Sequence, residues 1–216
     1  MMQVLSTNLI RAFYQGEINI PFEKNNVGNC AAIALIKASI EVFGLNNVID
    51  YYCSNGVYFV TLKNGVKLNF TQFDLNRSNY VANFQFKPVD PTTYSLFNSI
   101  YQYAQLLMCT MAVVVAKEGL NSKIIGEFEN ALEVLNDGPN PKYLPTLLGL
   151  EEFCIGNTWK ERFLMKSDTG QIAWFNRHTV FMSKKEFDLF GSVGHFLHRF
   201  PNRIKISTNR KTLVRS

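Results

Sequence analysis

Apolar residues recur at three- and four-residue steps through much of the first two thirds of the chain. Ile33, Ile36, Ile40 and Phe43 fall on one face, and Ala31, Ala32, Ala34 and Ala38 favour helix, so the spacing predicts a helix opening at Cys30. Gly44 stands where a left-handed C-cap is expected, and Asn29 where an N-cap is. Upstream, Val4, Leu5, Leu9, Ile10 and Phe13 suit a short helix within 3–15; Pro21 and the Asn cluster after it then break the chain. Downstream, Val57–Lys63 and Val66–Phe70 flank Asn64-Gly65, which predicts a β-hairpin closed by a type I′ turn. Val66, Leu68 and Phe70 alternate with Lys67 and Asn69, giving the second strand one wet face. Thr71–Leu75 can start a short helix, and Pro88 and Pro91 mark a connection.

Residues 92–118 read as one long helix capped by Thr92 or Thr93. Phe97, Ile100, Tyr101, Ala104, Leu107, Met108, Met111 and Val115 lie on its broad apolar face; the β-branched run Val113–Val115 leaves a strand open there. A second helix is expected at about 122–136, with Ile124, Ile125, Phe128, Leu132 and Leu135 inward, ended by Asn136-Asp-Gly-Pro-Asn-Pro. Residues 143–152 suit a short helical or turn segment. Trp159–Met165 and Gln171–Met182 are strand candidates on either side of a turn at Asp168-Thr-Gly170, and Phe187–Phe190 and Ile204–Ser207 are shorter ones. Helices first and strands last imply an α+β fold. The expected arrangement is a single domain: a helical part over about 1–155 that carries the 57–70 hairpin, then a β-rich part over about 156–216.

Composition narrows this picture. A chain of 216 residues with 47% apolar residues and 18 phenylalanines suits one domain with large packed surfaces. No signal-peptide pattern opens it, and the apolar run Leu106–Ala116 is too short to span a bilayer, so the expectation is a cytoplasmic protein with no membrane span. Four widely spaced cysteines with no Cys-x-x-Cys pair argue against a zinc knuckle or a disulfide framework and fit a reducing compartment. The net charge of +5 is concentrated in 199–216, where Arg199, Arg203, Lys205, Arg210, Lys211 and Arg215 occur without an acid. That segment is either a solvated basic tail or a surface for an anionic partner such as nucleic acid; its Phe200, Ile204 and Ile206 read as strand.

The chemistry centres on Cys30. In the first turn of a helix, unpaired N–H groups and the dipole favour negative charge, and with a cationic neighbour a thiol there ionises below its free value of about 8.5. The same N–H groups can hold an oxyanion. The bland alternative is a buried structural cysteine. Gly28-Asn29-Cys30, opening a buried helix after a turn, resembles the papain-like cysteine peptidases and most closely their calpain-like branch. His178 in Trp174-Phe-Asn-Arg-His-Thr-Val-Phe-Met resembles the family's His-x-Val strand, and Phe128–Gly138 resembles its helix closing on a Leu-Asn-Gly turn.

The resemblance implies a papain-like fold, Cys30 as nucleophile, His178 as base and then acid, a peptide or protein substrate, and no cofactor or metal. For the residue orienting His178 it implies Asn202, at the calpain-like distance, then Asp188, then Asn209. The chain also departs from the family. No Trp follows Asn202; Lys24 stands where a Gln is usual, so Asn25 or Asn26 would donate to the oxyanion with Asn29 in support; Gln15 reaches only if 16–24 loop out; and Ala31 replaces a bulky aromatic. These departures keep open a related thiol acyl-transferase and an inactive papain-like fold serving as a protein-interaction module. His195 and His198 can alternatively be read as a helical i, i+3 metal pair, for which no third ligand is evident.

Overall fold

In the computed structural model, residues 5–20, 23–26, 28–121, 126–156, 169–175, 178–195 and 202–208 are described. Thr7–Arg11 form a short helix (α1), after which Phe13–Tyr14 extend as β1 and Glu17–Ile20 and Glu23–Asn26 pair as a hairpin (β2, β3). Helix α2 is Cys30–Phe43, as the apolar spacing predicts, and every residue from Ala31 to Ile40 is buried. It stops at Gly44 (φ 89°, ψ 170°), whose N–H bonds Ile40 O at 2.9 Å. That is a glycine conformation, though not the left-handed helical one expected.

Asp50–Ser54, Val57–Thr61 and Lys67–Thr71 make a three-stranded antiparallel sheet (β4, β5, β6). The type I′ turn lies elsewhere than expected. Asn55 and Gly56, between β4 and β5, both take positive φ (50° and 74°), whereas at the next turn Gly65 alone of the Asn64-Gly65 pair does. There Gly65 N–H bonds Leu62 O and Leu62 N–H bonds Val66 O, both at 2.9 Å, giving a wider loop with a glycine bulge. Helix α3 (Gln72–Ala82) opens on a capping box between Thr71 and Asp74, and Gln85–Phe86 (β7) pairs with β1. Helix α4 (Tyr94–Glu118) includes the valine run; Thr93 stands before it without a side-chain cap, while Asp90 caps the single 3₁₀ turn at Pro91–Thr93.

Helix α5 is Phe128–Asn136, starting later than expected because Gly126 (φ 82°) and Glu127 are not helical; 122–125 lie outside the described residues. Short 3₁₀ segments follow at Pro141–Leu148 and Glu151–Phe153. The remaining strands are β8 (Cys154–Ile155), β9 (Gln171–Phe175), β10 (His178–Ser183), β11 (Glu186–Leu189), β12 (Ser192–His195) and β13 (Asn202–Ile206). They form a six-stranded antiparallel sheet in the order β12-β11-β10-β9-β13-β8 among the described residues. The single strand expected over Gln171–Met182 is thus two, paired His178 to Phe175. The candidate at Trp159–Met165 lies outside the described residues.

The fold is α+β. One apolar core runs from Leu9 to Ile206 and draws on α2, α4, α5 and the inner face of the large sheet. α2 is its axis, with β10 and β9 against one side and α4 against another. Together, α4 and the turn before it are long and apolar enough by composition to cross a bilayer, yet 72% of the most apolar window is buried in the protein.

Candidate functional site

The turn before Cys30 is fixed by the end of α5. A Cβ on Gly28 would sit 2.4 Å from Asn136 O, so only glycine fits there. Asn29 Nδ2 donates to Ala82 O at 2.8 Å and to Asn136 Oδ1 at 3.2 Å, and Asn136 Nδ2 donates to Val81 O at 2.9 Å. Asn29 therefore occupies the N-cap position without capping, and its amide donors are engaged in tying α2 to α3 and α5. That corrects its expected role in oxyanion support. With no side-chain cap, the first N–H groups of α2 remain available at the sulfur.

Cys30 is half-buried, its Sγ 3.9 Å from Gly28 O. Burial pushes its thiol above the ordinary range, opposed by hydrogen bonds from the Thr179 N–H and side chain and from the N–H groups of Ala31 and Cys30 itself. The depressed thiol expected for a helix N-terminus is not found, because desolvation outweighs those donors.

His178 begins β10, where its ring lies 5.8 Å from that of Phe190. Burial pushes its imidazole below the usual histidine value, and the Asp188 carboxylate pulls the other way. Its Nε2 is buried without a hydrogen-bond partner. Cys30 and His178 line one cavity of about 30 Å³, together with Tyr14, Gln15, Lys37 and Asp188. Strand alternation turns Thr179 toward Cys30, and the sulfur and the imidazole share this cavity without a hydrogen bond between them.

Gln15, buried, lines the same cavity. The hairpin of β2 and β3 loops out between it and Cys30; its ends close at Glu17 opposite Asn26. Asn25 and Asn26 lie on β3, and their side chains fall outside the described structure.

Asn202, the first choice to orient His178, is not brought to it. Asn202 pairs with Trp174 on β9, and β9 separates β13 from β10, a distance of two strand spacings or about 10 Å. Its side chain shares the face of Trp174 and Thr179. Asp188, the second choice, lines the cavity: Oδ1 accepts from Gly191 N–H at 2.8 Å and Oδ2 is ion-paired with Lys37 Nζ. Lys37 is fully buried on α2; it also donates to Arg11 O at 3.3 Å and lies 4.7 Å from the Phe13 ring centroid. Beside it, Arg11 pairs with Glu186 at 2.7 Å and donates to Ser183 O at 3.0 Å. One turn on, Glu41 accepts from Ser183 Oγ at 2.6 Å and Gly170 N–H at 2.7 Å.

Sequence reasoning missed Lys37 and Thr179. Lys37 carried a signal: it is the one charged residue between Cys30 and Ile40, in a helix apolar on every side, and such a residue needs a buried partner. His195 ends a strand and is not helical; His198, the other member of the helical i, i+3 reading, and Asn209 lie outside the described residues. No group of three potential metal-ligating side chains occurs among the described residues. Of the basic segment, 202–208 are described; Arg203 and Lys205 lie half-buried on β13 beside the buried Ile204 and Ile206.

On the outer side of Cys30 a groove of about 690 Å³ runs between Trp174, Thr179 and the Asn136–Pro141 loop. The thiol thus stands between an open groove and a small polar cavity. That arrangement can admit an extended chain to the sulfur from one side and hold proton-transfer groups on the other. No protein-family model, no curated protein and no solved structure matches this chain.

Proposed function

We propose that this protein is a thiol-dependent amide hydrolase of the cysteine-peptidase type, on a divergent papain-like, calpain-related plan. The observation that carries the reading is that Cys30, His178 and Gln15 line one cavity while Cys30 also borders an open groove of about 690 Å³. A nucleophile at a helix start, an imidazole from a later antiparallel sheet and an amide donor are the three groups acyl transfer needs.

The substrate carbonyl would enter along the groove past Trp174. His178 takes the Cys30 proton as the sulfur attacks, which requires its ring to turn toward the thiol from the first position of β10. Gln15 Nε2 and the Cys30 N–H receive the oxyanion. His178 then protonates the departing amine; water attacks the acyl-thioester as its proton passes to His178, the C–S bond breaks to release the acid, and His178 returns the proton to the Cys30 sulfur. With the thiol shifted up and the imidazole shifted down, both start neutral, so the proton moves during attack. Asp188, whose two oxygens are held by the Gly191 N–H and Lys37, would act on His178 through its charge and not through a hydrogen bond.

A second reading, a non-catalytic fold of the same plan, is favoured by the missing bond between thiol and imidazole and by the raised thiol. Incubation with a peptide mixture, followed by mass spectrometry, separates the two: cleavage that is lost in both Cys30→Ala and His178→Ala supports the hydrolase, and cleavage by neither wild type nor variants supports the inactive fold.

A further inference from the structure

We propose that Lys37 is a positioning residue: by holding Asp188 in a buried ion pair at the floor of the cavity, it sets how strongly that carboxylate acts on His178. The step from Asp188 to catalysis rests on the proposed function, but the effect on the imidazole does not. Lys37 is seven residues from Cys30 on α2, so both project from one face about 10 Å apart along the axis, and both line the cavity that holds His178.

Asp188 has both oxygens assigned. Oδ1 takes the Gly191 N–H in the turn after β11, and Oδ2 takes Lys37. The carboxylate is therefore fixed in direction and largely neutralised by a cation that water does not reach. Burial disfavours the charge on Lys37, Arg11 disfavours it further, and Asp188 favours it. The charge on Lys37 is therefore sustained by Asp188. Among the described residues lining the cavity, the remaining titratable groups are Cys30 on α2 and Tyr14 on β1, and β9, paired alongside, contributes none. Glu186 next to Asp188 is taken by Arg11.

It follows that breaking the same ion pair from its two ends moves His178 in opposite directions. Lys37→Met leaves an unshielded carboxylate that attracts a proton to the imidazole. Asp188→Asn removes that attraction and leaves an amine that repels the imidazolium or loses its own proton. A pair that only braces the fold would give both variants the same response.

The test is an NMR pH titration of the His178 ring protons in the full chain, without substrate. Lys37→Met is expected to raise its midpoint by about one pH unit and Asp188→Asn to lower it. Lys37→Arg, which keeps the cation, should titrate like the wild type, and Lys37→Met/Asp188→Asn, which removes both charges and relieves the unpaired one, should fall below it. Shifts of the same sign in the two single variants, or no shift in Lys37→Met, overturn the proposal. Because the readout is a ring titration, loss of peptidase activity in every sample would sink the hydrolase and leave this inference standing.

Discussion

The two halves of α2 meet the large sheet in opposite ways. Its middle is bolted: Lys37 to Asp188, and Glu41 to Ser183 and Gly170, each a buried or half-buried polar contact with a defined partner. Its first turn is only touched: Cys30 meets β10 through sulfur contacts to Thr179 and opens on a groove. A helix anchored about 10 Å from its end can present that end without covering it. Buried charge holds the scaffold, while the Cys30 thiol meets neutral donors only and borders open space. Cys30 is shifted toward its neutral form although it stands at a helix N-terminus, because burial of the sulfur outweighs the N–H donors around it.

The comparison breaks most completely at the sulfur. Cys30→Ala should abolish peptide cleavage while leaving the thermal midpoint nearly unchanged, since it removes a single sulfur atom from a partly buried site; calorimetry beside the cleavage assay separates the two. At the bolted end the effects reverse. Lys37→Met leaves a buried carboxylate unpaired and should cost about 3–5 kcal/mol in denaturant unfolding. Gln15→Ala tests the oxyanion side: kcat should fall by about 10²–10³ with little change in KM. Asn202→Ala, two strands from β10, should change kcat/KM by less than about threefold; a loss like that of Gln15→Ala would restore it as the orienting residue.

The smallest effect is in pH. The folded protein holds His178 below the value of 6.5 it has when unfolded, so the folded state binds fewer protons. Its contribution to stability is complete above that unfolded value and drains away as pH falls through the folded one. Unfolding midpoints from pH 7.5 downward should decline less steeply in His178→Asn than in the wild type.

How much of this was legible in sequence depended on burial. α2 was readable in its bounds because Ile33, Ile36, Ile40 and Phe43 kept helical step, and Cys30 and His178 were singled out as candidates because their residue types stand out in their settings. β4 was invisible: Asp50–Ser54 are exposed throughout, which erases alternation, so Asn55-Gly56 did not register as a turn. β9 and β10 merged for the opposite reason. Ala173, Val180 and Met182 pack on one face of the sheet and Ile172 and Phe181 on the other, so neither strand alternates with polar residues. Asn202 was misplaced because distance along the chain does not reveal strand order, and β13 adds beside β9, not beside β10. Gln15 stood as a remote alternative because the β2–β3 pairing, which closes the chain between it and Cys30, is not visible in the sequence.

The most direct measurement follows which cysteine reacts with which reagent, read by mass spectrometry at pH 7. Iodoacetamide should label the exposed Cys53 ahead of Cys30, whose thiol burial holds neutral. A mixture of peptidyl fluoromethyl ketones, which occupies the groove and draws on His178, should reverse that order, and His178→Ala should remove the reversal. Cys53 ahead of Cys30 with both reagents, or a reversal that survives in His178→Ala, would contradict a catalytic pair of Cys30 and His178.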